Sequence, residues 1–316
     1  MIRVAIDAMG GDLGPRIAFQ AAQKIIAAST DVEVLFYFDS VSFSPPSDIN
    51  FDRIYLIPCS DHVPSNETIE RSLFKRRDTS IYRAMSDHAN GQADVVVTFG
   101  NTAAMVALAR HIIGLLRPKL YPALIREMRP EPLKCLVDLG ANVHCPAPML
   151  TGFALLGSAY LEARCKDRAN VALLNVGLET SKGSSVIKDC YQMLSTRKWP
   201  HFTGFAEGFE LFDGGKNVIV CDGMVGNAVL KASEGLFAFL LDQLSKHSID
   251  TSAIQNLVRA ESRHGACLVG IKGNLVKGHG RSDLPAMIGA IEYGVDVART
   301  NLHRKIEEKL LQQGVL

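Results

Sequence analysis

Short aliphatic and β-branched runs alternate along the whole chain with longer stretches in which apolar residues recur every three or four positions. The runs 2–6, 32–38, 53–57, 94–99, 134–138, 171–175 and 218–221 predict strands. Most are continuously apolar rather than alternating, the pattern of a sheet covered by helices on both faces. Helices are predicted over 15–28, 79–90, 101–114, 148–164, 184–195 and 226–245. Pro15 suits a first helical turn, where its missing N–H costs nothing. The stretch 282–312 places Ile288, Ile291, Val295, Ala298, Leu302, Ile306 and Leu310 on one stripe and predicts a single long helix. Strands alternating with helices imply a mostly parallel, doubly wound α/β sheet. No repeat, composition break or low-complexity linker divides the chain, so one domain over 1–316 is expected, with 40–50 as a surface loop around Pro45 and Pro46.

Polar residues gather just after the predicted strands. Five strand-to-helix loops combine glycine with a small polar or charged group: Met9-Gly10-Gly11-Asp12, Gly100-Asn101-Thr102, Gly140-Ala141-Asn142, Asn175-Val176-Gly177 running on to Ser181-Lys182-Gly183, and Asp222-Gly223 with Gly226-Asn227. In a parallel sheet all of them fall at the carboxyl edge, where ligands bind. Glycine admits close backbone approach, and free N–H groups attract anions. The same residues are also ordinary turn and N-cap chemistry, and for Asp12 capping of the next helix is the simpler expectation. Lys182 is the best-placed cation for a phosphate, against the commoner reading of a solvated loop lysine. His279, between two glycines, is a candidate for proton transfer or a structural hydrogen-bonding group. Asp7, at the end of the first strand, has the same two readings.

The 316 residues carry 34 Lys and Arg against 33 Asp and Glu, a formal charge of +1, which argues against a nucleic-acid binder. Apolar residues at 47% and charged ones at 21% fit a folded enzyme and exclude disorder. Seven cysteines without a Cys-x-x-Cys pair argue against a disulfide framework or structural zinc and for a reducing cytoplasm. No secretory leader is visible near Arg3. The uncharged run 139–161 reaches membrane length, but Asn142, His144, Pro146 and Pro148 argue against a spanning helix. The segment 235–241 is apolar around its whole circumference, which fits core, a subunit interface or membrane contact. Basic residues cluster at Arg71, Lys75, Arg76, Arg77 and Arg83 against Asp78, and six more between Arg110 and Lys134 against Glu127 and Glu131. Such clusters are solvated faces or docking sites for an acidic partner. A Walker loop, a complete G-x-G-x-x-G, a G-x-S-x-G elbow and metal-ligand spacing are all missing, which favours a nucleophile brought in from outside.

Motifs along nearly the whole chain are similar to those of the bacterial phosphate acyltransferase family, the acyl-ACP:phosphate transacylases. They are Asp7-Ala-Met-Gly-Gly-Asp12, Arg76-Arg-Asp-Thr-Ser-Ile81, Gly100-Asn-Thr102, Val137-Asp-Leu-Gly-Ala-Asn142 and Leu174-Asn-Val-Gly177 with Lys182-Gly183. Glu207-Gly208, Val220-Cys-Asp-Gly223, the run from Gly226 to Gly235, His279-Gly280 and Ser282-Asp283 follow in order. Ala103, Leu178 to Ser181, and Phe209 depart from the family pattern. The resemblance implies a three-layer αβα Rossmann-like sandwich, related to isopropylmalate dehydrogenase and phosphotransacetylase. It implies a homodimer that makes acyl-phosphate from acyl-ACP and orthophosphate for phospholipid synthesis, without cofactor or metal. It also implies peripheral contact with the inner membrane, where a glycerol-phosphate acyltransferase takes the product.

On that resemblance the N–H groups of Gly10, Gly11 and Gly100–Thr102, with Lys182, are expected to cradle phosphate. Asp12 and Asp222 belong to the same binding set, Asn142 or Asn227 is the oxyanion donor, and His279 or Asp7 manages the proton. Arg76 and Arg77 are expected to dock acyl carrier protein. A phosphotransacetylase-like enzyme using acyl-CoA, a nicotinamide-dependent dehydrogenase and a non-catalytic scaffold are the alternatives.

Overall fold

The computed structural model describes residues 1–46, 52–130, 132–165, 167–212, 215–247, 250–252 and 265–314. Part of the expected 40–50 loop and Glu131 of the second basic cluster lie outside these residues. The chain folds as two compact units, Met1–Pro118 with Arg263–Arg304, and Lys119–Ser262 with Lys305–Leu316.

In the first unit the strands are β1 (Ile2–Asp7), β2 (Val32–Asp39), β3 (Ile54–Cys59), β4 (Val95–Thr98), β10 (Ala266–Val269) and β11 (Leu275–Lys277). They lie in the order β3-β2-β1-β4-β11-β10, parallel except for β10, which runs antiparallel to β11. The continuous runs Val4–Ile6 and Val95–Val97 are fully buried, as expected of strands covered on both faces. Helix α1 (Pro15–Ala28) packs with α7 (Leu284–Arg299), and both lie on the strands. Helix α2 (Ser80–Ala89) covers β1, β2 and β4 and touches α3 (Thr102–Leu108). Burying Phe19, Ile25 and Ile26 on α1 contributes roughly 1.5–3 kcal/mol per large side chain.

In the second unit β5 (Ala123–Pro130), β6 (Leu133–Val137), β7 (Val171–Leu174), β8 (Phe202–Ala206) and β9 (Val218–Val220) follow the order β5-β6-β9-β7-β8. Only β5 is antiparallel to its neighbour. Helix α4 (Ala147–Arg164) is buried from Phe153 to Leu161 and packs on β6, β7 and β9 and on α5 (Ser185–Thr196). Much of the uncharged membrane-length run is therefore a core helix. Gly157 brings it against β9, where a Cβ would lie 2.6 Å from Val218 Cγ1.

Helix α6 (Gly223–Lys246) behaves differently, with only Gly223, Gly226 and Leu230 buried. Leu236, Phe239 and Leu240 are exposed, so the apolar 235–241 segment is not core within this chain. Among the described residues it is the one helix long and apolar enough to cross a membrane.

Two expectations are corrected, and four strands are added. The predicted 282–312 helix is two helices, α7 and α8 (Leu302–Gln312). Asn301 takes a left-handed φ of 51° between them, a conformation Asn tolerates better than most residues. Asp12 does not cap α1; Gly14 holds that position at φ 76°, with no side-chain cap. Strands β5, β8, β10 and β11 were not predicted, because β5 carries Arg126, Glu127 and Arg129 and the other three are short.

Candidate active site

In the first unit β1 ends at Asp7, whose carboxylate is 3% exposed. Ser80 Oγ, at the start of α2, donates to Asp7 Oδ1 at 2.7 Å, and Thr98 Oγ1, at the end of β4, donates to Oδ2 at 2.7 Å. Burial pushes the Asp7 carboxyl up, opposed by these two hydroxyls, the Met9 N–H and the charge of Lys277. The Gly100 N–H donates to Thr98 Oγ1 at 3.1 Å, so the same network fixes the loop after β4.

The glycines here first serve the meeting of loops. A Cβ on Gly11 would lie 3.0 Å from Met287 Cε, and one on Gly278 2.3 Å from the Phe99 ring. The Asp12 N–H donates to the Gly280 carbonyl at 2.7 Å, joining the loops after β1 and β11. The Asp12 carboxylate is exposed, 3.8 Å from the Arg281 guanidinium. His279 is exposed, and its Nδ1 accepts from the Arg281 N–H at 3.1 Å, which leaves the neutral-ring proton on Nε2. Asn101 caps α3 through the Ala104 N–H at 3.1 Å, ahead of Thr102 as its first residue. Its amide also donates to the carbonyls of Pro64, Ser65 and Glu67. These bonds use the Asn101 side chain for structure.

In the second unit the organising group is Asp138, fully buried just after β6. Its Oδ1 accepts from the N–H groups of Leu124, Leu139 and Ala141, and its Oδ2 from the Asn142 N–H at 2.7 Å and from Asn142 Nδ2 at 3.1 Å. Burial pushes this carboxyl up, and the donors pull against it. Asn142 Nδ2 also donates to the Pro122 carbonyl at 2.8 Å, so this amide is turned into the loop. The first turn of α6 sits on that loop: a Cβ on Gly226 would lie 1.9 Å from the Asp138 carbonyl oxygen. Asp222 caps α6 through the Val225 N–H at 2.8 Å. Asn227 is exposed beside Gly140, with its Cβ 3.9 Å from where a Gly140 Cβ would stand. A cavity of about 340 Å³ opens here, lined among others by His144, Cys145, Ser184 and Asp222.

Lys182 stands on its own loop. Its Nζ is 2.9 Å from Glu179, both side chains are at least half exposed, and each holds the other in its charged form. Arg76 makes two bonds to the Asp61 carboxylate, one to Glu67 and one to the His62 carbonyl, whereas its neighbour Arg77 is exposed.

The structure thus gathers Asp7, Gly10, Gly11, Asp12, Gly100, Asn101, Thr102 and His279 at one end of the first unit. Asn142, Asp222 and Asn227 meet in the second, where Lys182 pairs with Glu179. Sequence reasoning did not single out Ser80, Thr98, Lys277 or Asp138 as site residues. Asp138 sat in a quoted motif and read only as a strand end. Ser80 also sat in a quoted motif, Arg76 to Ile81, but it and Thr98 lie far from Asp7 along the chain, and nothing in their spacing marks them as its partners.

A family model described as "Fatty acid synthesis protein" matches residues 2–305. The phosphate acyltransferase of Photobacterium profundum is 34% identical over 331 residues, covering 98% of this chain and 96% of that protein. The phosphate acyltransferase of Saccharophagus degradans is 32% identical over 328 residues, with the same coverage. Among solved structures, a phosphotransacetylase from Streptococcus pyogenes aligns with a TM-score of 0.62 at 14% identity, covering 94% of each chain. A branched-chain phosphotransacylase from Enterococcus faecalis V583 aligns at 0.58 and 15%, covering 96% of this chain and 100% of that one. These two likenesses show a shared fold. The family match over 2–305 and the identity along nearly the full length show that the chain belongs to the fatty acid synthesis protein family, alongside these phosphate acyltransferases.

Proposed function

We propose that this chain is a phosphate acyltransferase that converts acyl-ACP and orthophosphate to acyl-phosphate and free carrier protein, for phospholipid synthesis. The observation that carries the reading, beside the relatives' names, is the state of the thiols. All seven cysteines are buried or half-buried, and burial pushes Cys59 up to about 12, Cys145 and Cys190 up to about 11, and Cys135, Cys165 and Cys221 upward as well. Raised in this way, these thiols are poor nucleophiles, which disfavours an acyl-cysteine intermediate and supports the reading in which phosphate is the nucleophile.

A phosphate oxygen attacks the thioester carbonyl carbon and the new C–O bond forms. The C–S bond breaks with its electron pair on sulfur, and the proton lost by phosphate ends on the thiol. No electrons are exchanged with a cofactor. Within the first unit, the backbone around Gly10, Gly11, Asn101 and Thr102 is the phosphate cradle, the Gly100 N–H being held by Thr98, and His279, with its proton on Nε2, is the better-exposed proton carrier. Asp7, enclosed by two hydroxyls, holds the loops. Within the second unit, Asn142 is committed to Asp138 and Pro122, which leaves Asn227 as the candidate oxyanion donor there, on the helix that Asp222 caps.

Arg71, Lys75 and Arg77 are exposed around a short helical turn and suit an acidic carrier protein better than Arg76, which is held by Asp61 and Glu67. The exposed apolar face of α6 fits a homodimer contact with peripheral attachment at the cytoplasmic face of the membrane. A membrane glycerol-phosphate acyltransferase would receive the product there. The deciding experiment incubates the protein with acyl-ACP or acyl-CoA, with and without orthophosphate, and traps acyl-phosphate as its hydroxamate. Phosphate-dependent product from acyl-ACP is expected. Product from acyl-CoA alone would make it a phosphotransacetylase-like enzyme, and none from either donor would favour a scaffold.

A further inference from the structure

We infer that Lys277 is the principal cation that holds the anionic phosphate in the first unit, an inference that rests on the phosphate acyltransferase reading. Asp7 on β1 pairs with Thr98 on β4, and Thr98 pairs with Lys277 on β11. Residues in register on parallel strands share a face, so these three polar side chains form a row across the carboxyl ends of adjacent strands. Lysine is seldom withdrawn from solvent without a counter-charge. Lys277 is half-buried, and the buried Asp7 carboxylate feels its charge.

Lys277 adjoins two of the loops that the proposed phosphate site uses. Lys277 leads directly into Gly278 and His279, its ammonium donates to the Gly278 carbonyl, and the Gly278 N–H donates to the Thr98 carbonyl at 2.9 Å. Through Thr98 it adjoins the Gly100 loop, whose N–H is fixed by the same hydroxyl that bonds Asp7. A compact ammonium with three donors suits a phosphate as a point charge. Lys182 is the weaker choice: it is half exposed and already beside Glu179, so gathering it costs side-chain freedom and an ion pair. Lys277 is placed in advance by its strand.

The test compares Lys277→Met and Lys277→Arg with Lys182→Ala and with Lys272→Met, an exposed lysine of the same unit. For Lys277→Met the phosphate KM should rise roughly 10- to 100-fold, the loss of one charge-assisted contact. The acyl-donor KM should stay within about twofold, since the charge faces the anion and not the acyl group. Lys277→Arg should recover part of the loss, and Lys182→Ala should cost less than Lys277→Met. Independently, inorganic phosphate should raise the Tm of the wild-type protein and of Lys272→Met, but not that of Lys277→Met. An unchanged phosphate KM in Lys277→Met, or a phosphate-induced Tm rise that survives it, overturns the inference. If Lys277→Met fails to fold, the same two readouts on Lys277→Gln decide it. A wild-type protein that gains Tm from phosphate yet makes no acyl-phosphate would sink the acyltransferase reading alone, with the Tm comparison still deciding the role of Lys277.

Discussion

Gly10 and Gly100 meet backbone to backbone: a Cβ on Gly10 would stand 2.0 Å from the Gly100 Cα and 2.2 Å from its nitrogen. No side-chain rotation relieves such a contact, so the loops after β1 and β4 approach this closely because Gly10 lacks a side chain; a Cβ on Gly100 would be tight rather than excluded, 3.1 Å from the Gly10 Cα. Gly10→Ala should force them apart, costing about 1–3 kcal/mol or more by overpacking. Thermal unfolding should show a Tm lower by on the order of 5 °C, together with loss of phosphate-dependent turnover. Gly208→Ala, where nothing lies within 4 Å of the new Cβ, should leave Tm unchanged.

Stability should fall in mild acid through two histidines of the first unit. His88 lies between the Ala93 carbonyl on Nδ1 and the Asn274 N–H on Nε2, a pairing that requires the neutral ring. His303 bonds Asn274 Oδ1, and burial, His88 and Arg304 hold it down to about 4. Burial also lowers His88, opposed by the Ala93 carbonyl and Asp94. With folded values below the ordinary 6.5, the unfolded chain binds more protons across that interval. The stabilisation is complete above pH 6.5 and is lost as pH drops from there towards 4. Tm measured between pH 8 and 5 should decline, and His303→Gln should flatten the decline; an equal slope in that variant would assign the effect elsewhere.

Asn101 should prove a structural residue before a chemical one. Asn101→Ala removes the α3 cap and the donors to three carbonyls, at a cost of about 1–3 kcal/mol. Asn101→Ser keeps a capping oxygen and should recover part of the loss. Urea unfolding of both, set beside their turnover at a temperature where each is folded, separates the roles. Full activity in folded Asn101→Ala would show that its side chain serves the fold alone and leave at most its backbone N–H to the phosphate cradle.

Adjacent arginines should behave oppositely. Arg76→Ala breaks its contacts with Asp61 and Glu67 and should lower stability by on the order of 1 kcal/mol. Arg77→Ala, combined with Arg71→Ala and Lys75→Ala, should leave Tm alone and raise the acyl-ACP KM severalfold, more at low salt than at high. An acyl-ACP KM indifferent to the triple change would move carrier docking to another face.

Charge placed on the exposed side of α6 tests its covering. Leu236→Glu with Phe239→Glu should lower the fraction of dimer in sedimentation equilibrium and the fraction pelleted with anionic vesicles. Neither readout changing would show that the face needs no partner.

The legible part of this fold was the set of buried parallel strands. Runs such as Val4–Ile6 and Val95–Val97 are apolar on both sides and announce themselves within a few residues. Strand β5 was hidden because Arg126 and Glu127 are satisfied at a distance, by Glu234 and by Tyr160 and Arg164 respectively. The α7–α8 break was hidden because the apolar stripe runs straight through Asn301. In the candidate site, glycine loops could be located from the residues, but their purpose could not: contact between Gly10 and Gly100 depends on the strand order, which brings β4 beside β1. The same order creates the Asp7–Ser80–Thr98 network from residues with no local relationship.

The buried cysteines have a practical consequence. Cys59 and Cys267 lie in the first unit and Cys135, Cys190 and Cys221 in the second, each no more than 3% exposed. An alkylating reagent can reach them only when the surrounding structure opens, so the rate of native-state labelling becomes a clock for that opening. Mass spectrometry of each modified peptide would time the two units separately, without introducing a single substitution.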